Sequence, residues 1–84
     1  MNKAYFVCGV TLLKAIVAEN PDGTYSVGQP TVILHIHGLP ITNAPGEIVQ
    51  RSDFISDYDI ALNYYRERLK ILRDAIDVAL QETA

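Results

Sequence analysis

The chain has little of what marks a secreted, membrane-bound or nucleic-acid-binding protein. Its 84 residues hold a single cysteine, Cys8, so no intrachain disulfide can form. A secreted domain of this size would normally carry several, and a cytoplasmic protein is expected. Positive charge is scarce: 7 Lys and Arg stand against 10 Asp and Glu, a formal net charge of -3. That disfavours a nucleic-acid binder, which needs a basic face. No apolar run approaches the roughly 20 residues of a membrane span. Lys3 precedes an apolar stretch from Ala4 to Leu13, but Lys14 ends it and no small-x-small cleavage site follows. The stretch therefore reads as a strand and not as a leader. Tryptophan is absent, and so are a glycine-rich phosphate loop, a dinucleotide fingerprint and a nucleophile elbow around Ser26, Ser52 or Ser56. No enzyme and no cofactor are expected.

What the chain does have is a long amphipathic helix, predicted over about 57–81. Ile55, Tyr58, Leu62, Tyr65, Leu69, Leu72, Ile76 and Ala79 fall at alternating steps of three and four, a heptad seam. A second apolar row, Ile60, Ala61, Tyr64, Ile71, Ala75 and Val78, runs beside it. An ordinary surface helix needs an apolar stripe of only about 100°, and these two rows cover more than half the circumference. Such a helix needs cover from two sides: its own sheet and a second copy of the chain. A homo-oligomer, most simply a dimer, is expected, with Tyr58, Leu62, Tyr65, Leu69, Leu72 and Ile76 at the interface. Aspartate at Leu69 or Leu72 should then give monomers or insoluble protein. Ser56 reads as the helix cap, Ile55 and Ile60 as a hydrophobic staple, and Asp57 and Asp59 suit the positive first turn. Lys70 with Asp74 and Arg73 with Asp77 are spaced for ion pairs on the polar side.

Before the helix, Asn20-Pro21-Asp22-Gly23 predicts a three-residue hairpin loop. Its arms run over about 4–19 and 24–37, with paired residues summing to about 44. That register sets Gly9 opposite His35 and Thr11 opposite Ile33. Phe6, Cys8, Val10, Leu12 and Ile16, with Val32, Leu34 and Ile36, form an apolar face to receive the helix. Tyr5, Val7, Gly9, Thr11, Leu13, Ala15 and Val17, with Thr31, Ile33, His35 and His37, form a mixed face. Gly28 and Pro30 should break the ladder or bulge it. Asn43 to Gly46 reads as a type II turn and 47–50 as a short third strand. The fold class is α+β in one domain, 1–84, of order ββ(β)α.

Chemistry rests on few residues. His35 and His37, two apart on a strand, would point to one face, which suits metal ligation. They are weak metal candidates without a third ligand fixed by spacing. With Thr11, Gly9 and Tyr5 they could also hold an anionic small molecule such as a nucleotide. Arg66, Lys70 and Arg73 line one strip of the helix, but aspartates interleave with them, as on a solvated face. The five tyrosines, with apolar bodies and polar tips, suit an interface.

The run Asp22-Gly23-Thr24-Tyr25-Ser26-Val27, between a strand and a later helix, resembles the hairpin of HicB-type antitoxins. The likeness stops there, because neither a Pro-Gly-Cys-like segment nor a DNA-binding module follows. In size and mild acidity the chain is also similar to phage-encoded anti-defence proteins such as anti-CRISPRs. Both likenesses imply a small inhibitor or adaptor that acts by occupying a protein partner. Sequestration of a nucleotide-like anion at His35 and His37, and a metal-dependent enzyme at the same pair, are the alternatives.

Overall fold

A computed structural model describes residues 2–43 and 46–83. It shows an antiparallel five-stranded sheet and one long C-terminal helix, an α+β fold. The strands are β1 (Asn2–Cys8), β2 (Thr11–Glu19), β3 (Tyr25–Val27), β4 (Thr31–His35) and β5 (Ile48–Val49). A 3-10 turn, Arg51–Asp53, leads to helix α1 (Tyr58–Glu82). β1 pairs with one edge of β2. The other edge of β2 takes β3 near its end and β4 near its start, and β5 continues from β3.

The first arm is not one strand. Gly9 and Val10 turn it back on itself, and Cys8 pairs with Thr11. Gly9 has φ +59 and Val10 keeps a negative φ, as in a type II′ hairpin. An unbroken apolar run with one glycine hides such a turn, because the loop residues are as apolar as the strands. A Cβ added at Gly9 would also lie 3.2 Å from Thr42 Oγ1. Gly9→Ala is therefore expected to lower stability by about 1–2 kcal/mol, read by urea unfolding.

This turn reverses the predicted facing of β1, while β2 keeps its own, with Leu12 toward the helix. Phe6 pairs with Leu13 and Val7 with Leu12, so odd positions of β1 share a face with even positions of β2. The helix covers Tyr5, Val7, Leu12 and Ile33, not Phe6 and Cys8. Ala61 and Tyr65 are buried there, with Leu62, Leu69 and Ile55 beside them. Ala61 has no exposed surface, and a small residue at that point lets the helix approach the sheet.

The opposite face holds the larger cluster: Ala4, Phe6, Leu13, Ala15 and Val17, closed by Val49 and Phe54. The Phe54 ring lies 6.0 Å from Phe6 and 5.1 Å from Tyr25, the latter edge-on. Arg51 stacks on Phe54 at 4.7 Å. The segment from β5 to Ile55 runs beneath this face. Val49 pairs with Tyr25 of β3, and Ile55 exchanges two backbone hydrogen bonds with Tyr5 of β1 (2.8 and 3.0 Å). The sheet thus curls around the Phe6 cluster, with both ends of its closing segment tied.

The hairpin loop forms where it was predicted. Asn20 N–H donates to Thr24 O and Gly23 N–H to Asn20 O. The Asp22 carboxylate accepts from the Thr24 N–H (3.0 Å) and hydroxyl (2.6 Å), which hold its pKa below the usual carboxylate range. Pairs summing to 44 persist through Val17–Val27. Gly28 and Pro30 then break the arm into β3 and β4, and a further shift lies between Leu12 and Leu13. Thr11 consequently faces His35 and not Ile33. β5 is shorter than the predicted 47–50. The turn read at Asn43–Gly46 falls partly outside the described residues.

The helix cap is Asp57 and not Ser56: its Oδ1 accepts from Ile60 N at 3.0 Å. Ser56 Oγ instead accepts from Arg51. The predicted pairs of Lys70 with Asp74 and Arg73 with Asp77 are replaced by Lys70–Glu67 (3.1 Å) and Arg73–Asp74 (3.7 Å).

Candidate interaction surfaces

A 25-residue helix is about 37 Å long, more than the short sheet can cover. The molecule measures 55 × 21 × 20 Å, with a radius of gyration of 15.0 Å. A compact chain of this length would have about 12 Å. The excess is the second half of α1. From Lys70 onward every described helical residue is exposed. Ile71 is 67% exposed, Ile76 59%, Val78 52% and Leu80 62%, and Leu72 is at the margin.

The structure divides the predicted interface residues into two groups. Leu62, Tyr65 and Leu69 pack on the chain's own sheet. Tyr58 lies 5.6 Å from the Tyr5 ring, on the same covered face. Leu72 and Ile76 continue the seam past the sheet into solvent. Where the helix leaves the sheet, Val10, Ile36, Leu39, Leu69, Leu72 and Ile76 line an open apolar groove of about 480 Å³. Of these, Val10 and Ile36 were expected on the face that receives the helix, although they lie in turns and not in strands, whereas Leu39 follows the second arm and had no period to place it. Leu80 follows Ala79, the last residue of the seam, and belongs to neither apolar row.

Tyr65 anchors the helix to the β1–β2 turn, its hydroxyl donating to Val10 O at 2.8 Å. Burial pushes its pKa above the usual tyrosine value. The folded state therefore keeps this proton to higher pH than the unfolded chain. Its contribution is intact below about pH 10 and falls as pH rises toward the folded-state value. Tyr65→Phe should cost about 1–3 kcal/mol at neutral pH, because Val10 O loses its donor. The variant should also lose less stability between neutral and alkaline pH than the parent, measured by urea unfolding at each pH.

The histidine pair is not a strand pair. His35 closes β4, whereas His37 lies in the turn Ile36–Leu39, where Gly38 has φ +90. This is the pattern of a type II turn, so the imidazoles do not share a strand face. His35 Nε2 bonds Leu39 O at 2.5 Å and Nδ1 bonds Thr11 Oγ1 at 2.8 Å. A carbonyl only accepts, so Nε2 bears the hydrogen in the neutral ring. Nδ1 then accepts from the Thr11 hydroxyl, which itself accepts from Thr42 N–H at 3.2 Å. His35 and Thr11 thus fasten the 36–42 segment to β2, with Gly9 close beside Thr42. Tyr5 is elsewhere, beneath the helix. Among the described residues no three His, Cys, Asp or Glu side chains are grouped to hold a metal.

Cys8 packs against the Phe6 cluster. Burial raises its pKa and Arg68 only partly opposes this, so it is held as a thiol. Along β4, Val32 and Leu34 are exposed, and the outer edge carries no charged residue to blunt it. Among the described residues no helix is long and apolar enough to cross a membrane.

No protein-family profile matches the chain, and no solved structure matches it either. Among curated proteins the chain is similar to part of a larger enzyme. The ATP-dependent 6-phosphofructokinases of Mesomycoplasma hyopneumoniae strains 7448, J and 232 are each 33% identical to it over 76 residues. That match takes in 87% of this chain but only 23% of the kinases, so the chain spans less than a quarter of the length of the curated relatives it matches.

Proposed function

We propose that this chain is a non-enzymatic binding module of the cytoplasm that assembles into a dimer and acts as an inhibitor or adaptor by occupying a protein partner. The observation that carries this reading is the second half of α1, which stands clear of the sheet with Ile71, Ile76, Val78 and Leu80 in solvent. Contiguous apolar surface of this kind marks an interaction site. The uncharged edge of β4 offers a second surface, suited to an extended segment of the partner adding as a strand. The phosphofructokinase likeness does not bring that activity with it, because the match takes in only 23% of the kinases. His35 spends both ring nitrogens within the chain, which weighs against its ligating a metal or an anion.

Native mass spectrometry of protein purified without chelator tests the proposal. The expected species is a dimer of the 9.3 kDa chain without added mass. A monomer at about 100 μM would overturn the assembly. A retained metal or small molecule would overturn the non-enzymatic reading in favour of ligand binding.

A further inference from the structure

His35 is bonded through both ring nitrogens, and the pair of bonds fits only the neutral ring. Nε2–H donates to Leu39 O, and Nδ1 accepts from the Thr11 hydroxyl. Thr11 has no exposed surface, and its oxygen also accepts from Thr42 N–H. In this state no buried side-chain nitrogen or oxygen among the described residues lacks a partner. A second ring proton goes to Nδ1 and makes it a donor. The Thr11 oxygen then takes two donors on its two lone pairs, and its own hydrogen loses its acceptor. Among the described residues Thr11 Oγ1 has no other hydrogen-bond partner, and burial keeps water away. A buried hydroxyl hydrogen left unpaired destabilises the closed arrangement.

We infer that His35 and Thr11 form a pH-sensitive clasp, and that protonation of His35 releases the segment 36–42 from β2. The two bonds tie this segment at Leu39 and at Thr42. Apolar burial adds little, since Ile36, Leu39 and Ile41 are 38%, 48% and 54% exposed. A segment with few buried contacts opens by itself, ahead of the rest of the chain. Ile36 and Leu39 line the apolar groove with Leu69, Leu72 and Ile76, so release removes one wall of it and leaves α1 on the sheet. The ionisable side chains on the elements around the clasp are Cys8, Lys14, His37, Tyr65, Lys70 and Arg73. None of them pairs with His35 among the described residues, and no carboxylate does. No negative charge therefore holds an imidazolium in place. The clasp is closed above about pH 6.5, the ordinary value for an imidazole, and opens as pH falls through that region. This holds for the single chain and is independent of the assembly proposed above.

Amide hydrogen exchange of Thr42, followed by NMR between about pH 7.5 and 5.5 and corrected for the intrinsic pH dependence of exchange, tests the clasp. Protection of Thr42 should fall about tenfold, while Phe6 and Leu13 in the β1–β2 ladder keep theirs. The His35 ring resonances should titrate together with that loss. His35→Gln, whose amide does not titrate, should abolish the pH dependence, and His37→Gln should retain it. Circular dichroism verifies that both variants are folded. Thr42 protection that stays level in the parent, or a His35 titration separate from the loss, overturns the clasp without need of a variant. A loss that survives His35→Gln, or that His37→Gln abolishes, overturns it as well.

Discussion

Replacing Phe6 with alanine is expected to remove about 3–5 kcal/mol of stability and to leave much of the chain unfolded at 25 °C. Phe6 is 1% exposed and sits at the centre of the cluster that the curled sheet encloses. Its ring meets Leu13, its strand partner, from above and Phe54 from the closing segment. The neighbours cannot collapse into the space, because Val49 and Ile55 tie that segment to β3 and β1 on either side. A domain of 84 residues has a total stability of roughly 4–13 kcal/mol, so one such loss is a large share of it. Phe6→Leu keeps most of the volume and should cost less than about 1.5 kcal/mol. Urea unfolding followed by circular dichroism at one fixed protein concentration measures both, since association would otherwise shift the midpoint. A Phe6→Ala cost below 1 kcal/mol would mean that this cluster is not the core.

How far the sequence was legible depends on how local each signal is. The Asn20–Gly23 loop was readable because proline, aspartate and glycine each fix one backbone position, and the register next to it followed. The helix was readable from its period, within one residue at either end. The Gly9–Val10 turn was not, because the apolar run conceals it, and with it the expected faces of β1 are exchanged while those of β2 stand. A two-residue loop changes the parity of every position before it. The histidines failed for a related reason: a strand that ends at His35 sends His37 into a turn. Phe54 escaped notice because a lone aromatic in a loop has no period. Excess apolar circumference on α1 was visible, but which part of the seam the sheet takes depends on strand lengths, and the strands are shorter than the two arms expected from sequence.

That division of the seam makes two substitutions of the same kind behave differently. Leu69→Asp places a carboxylate against the buried cluster that joins helix and sheet, where a charge loses water. It should detach the helix from the sheet, so that helical ellipticity and the near-ultraviolet signal of the tyrosines both fall. Ile76→Asp places the same charge at a side chain 59% exposed in the single chain, beyond the last contact with the sheet. Far- and near-ultraviolet spectra should stay close to those of the parent, apart from what depends on the dimer. Association should suffer most. Each copy loses a large apolar contact, about 1.5–3 kcal/mol, and the two-fold axis counts it twice. The expected weakening is about 10² to 10⁴-fold, enough to give monomers at 100 μM in sedimentation equilibrium. Both seam residues are heptad positions of equal hydrophobicity, so no argument from sequence period separates them. A chain with Ile76→Asp that dimerises as tightly as the parent would move the interface off the helix, and the uncharged edge of β4 would be the surface left to supply it.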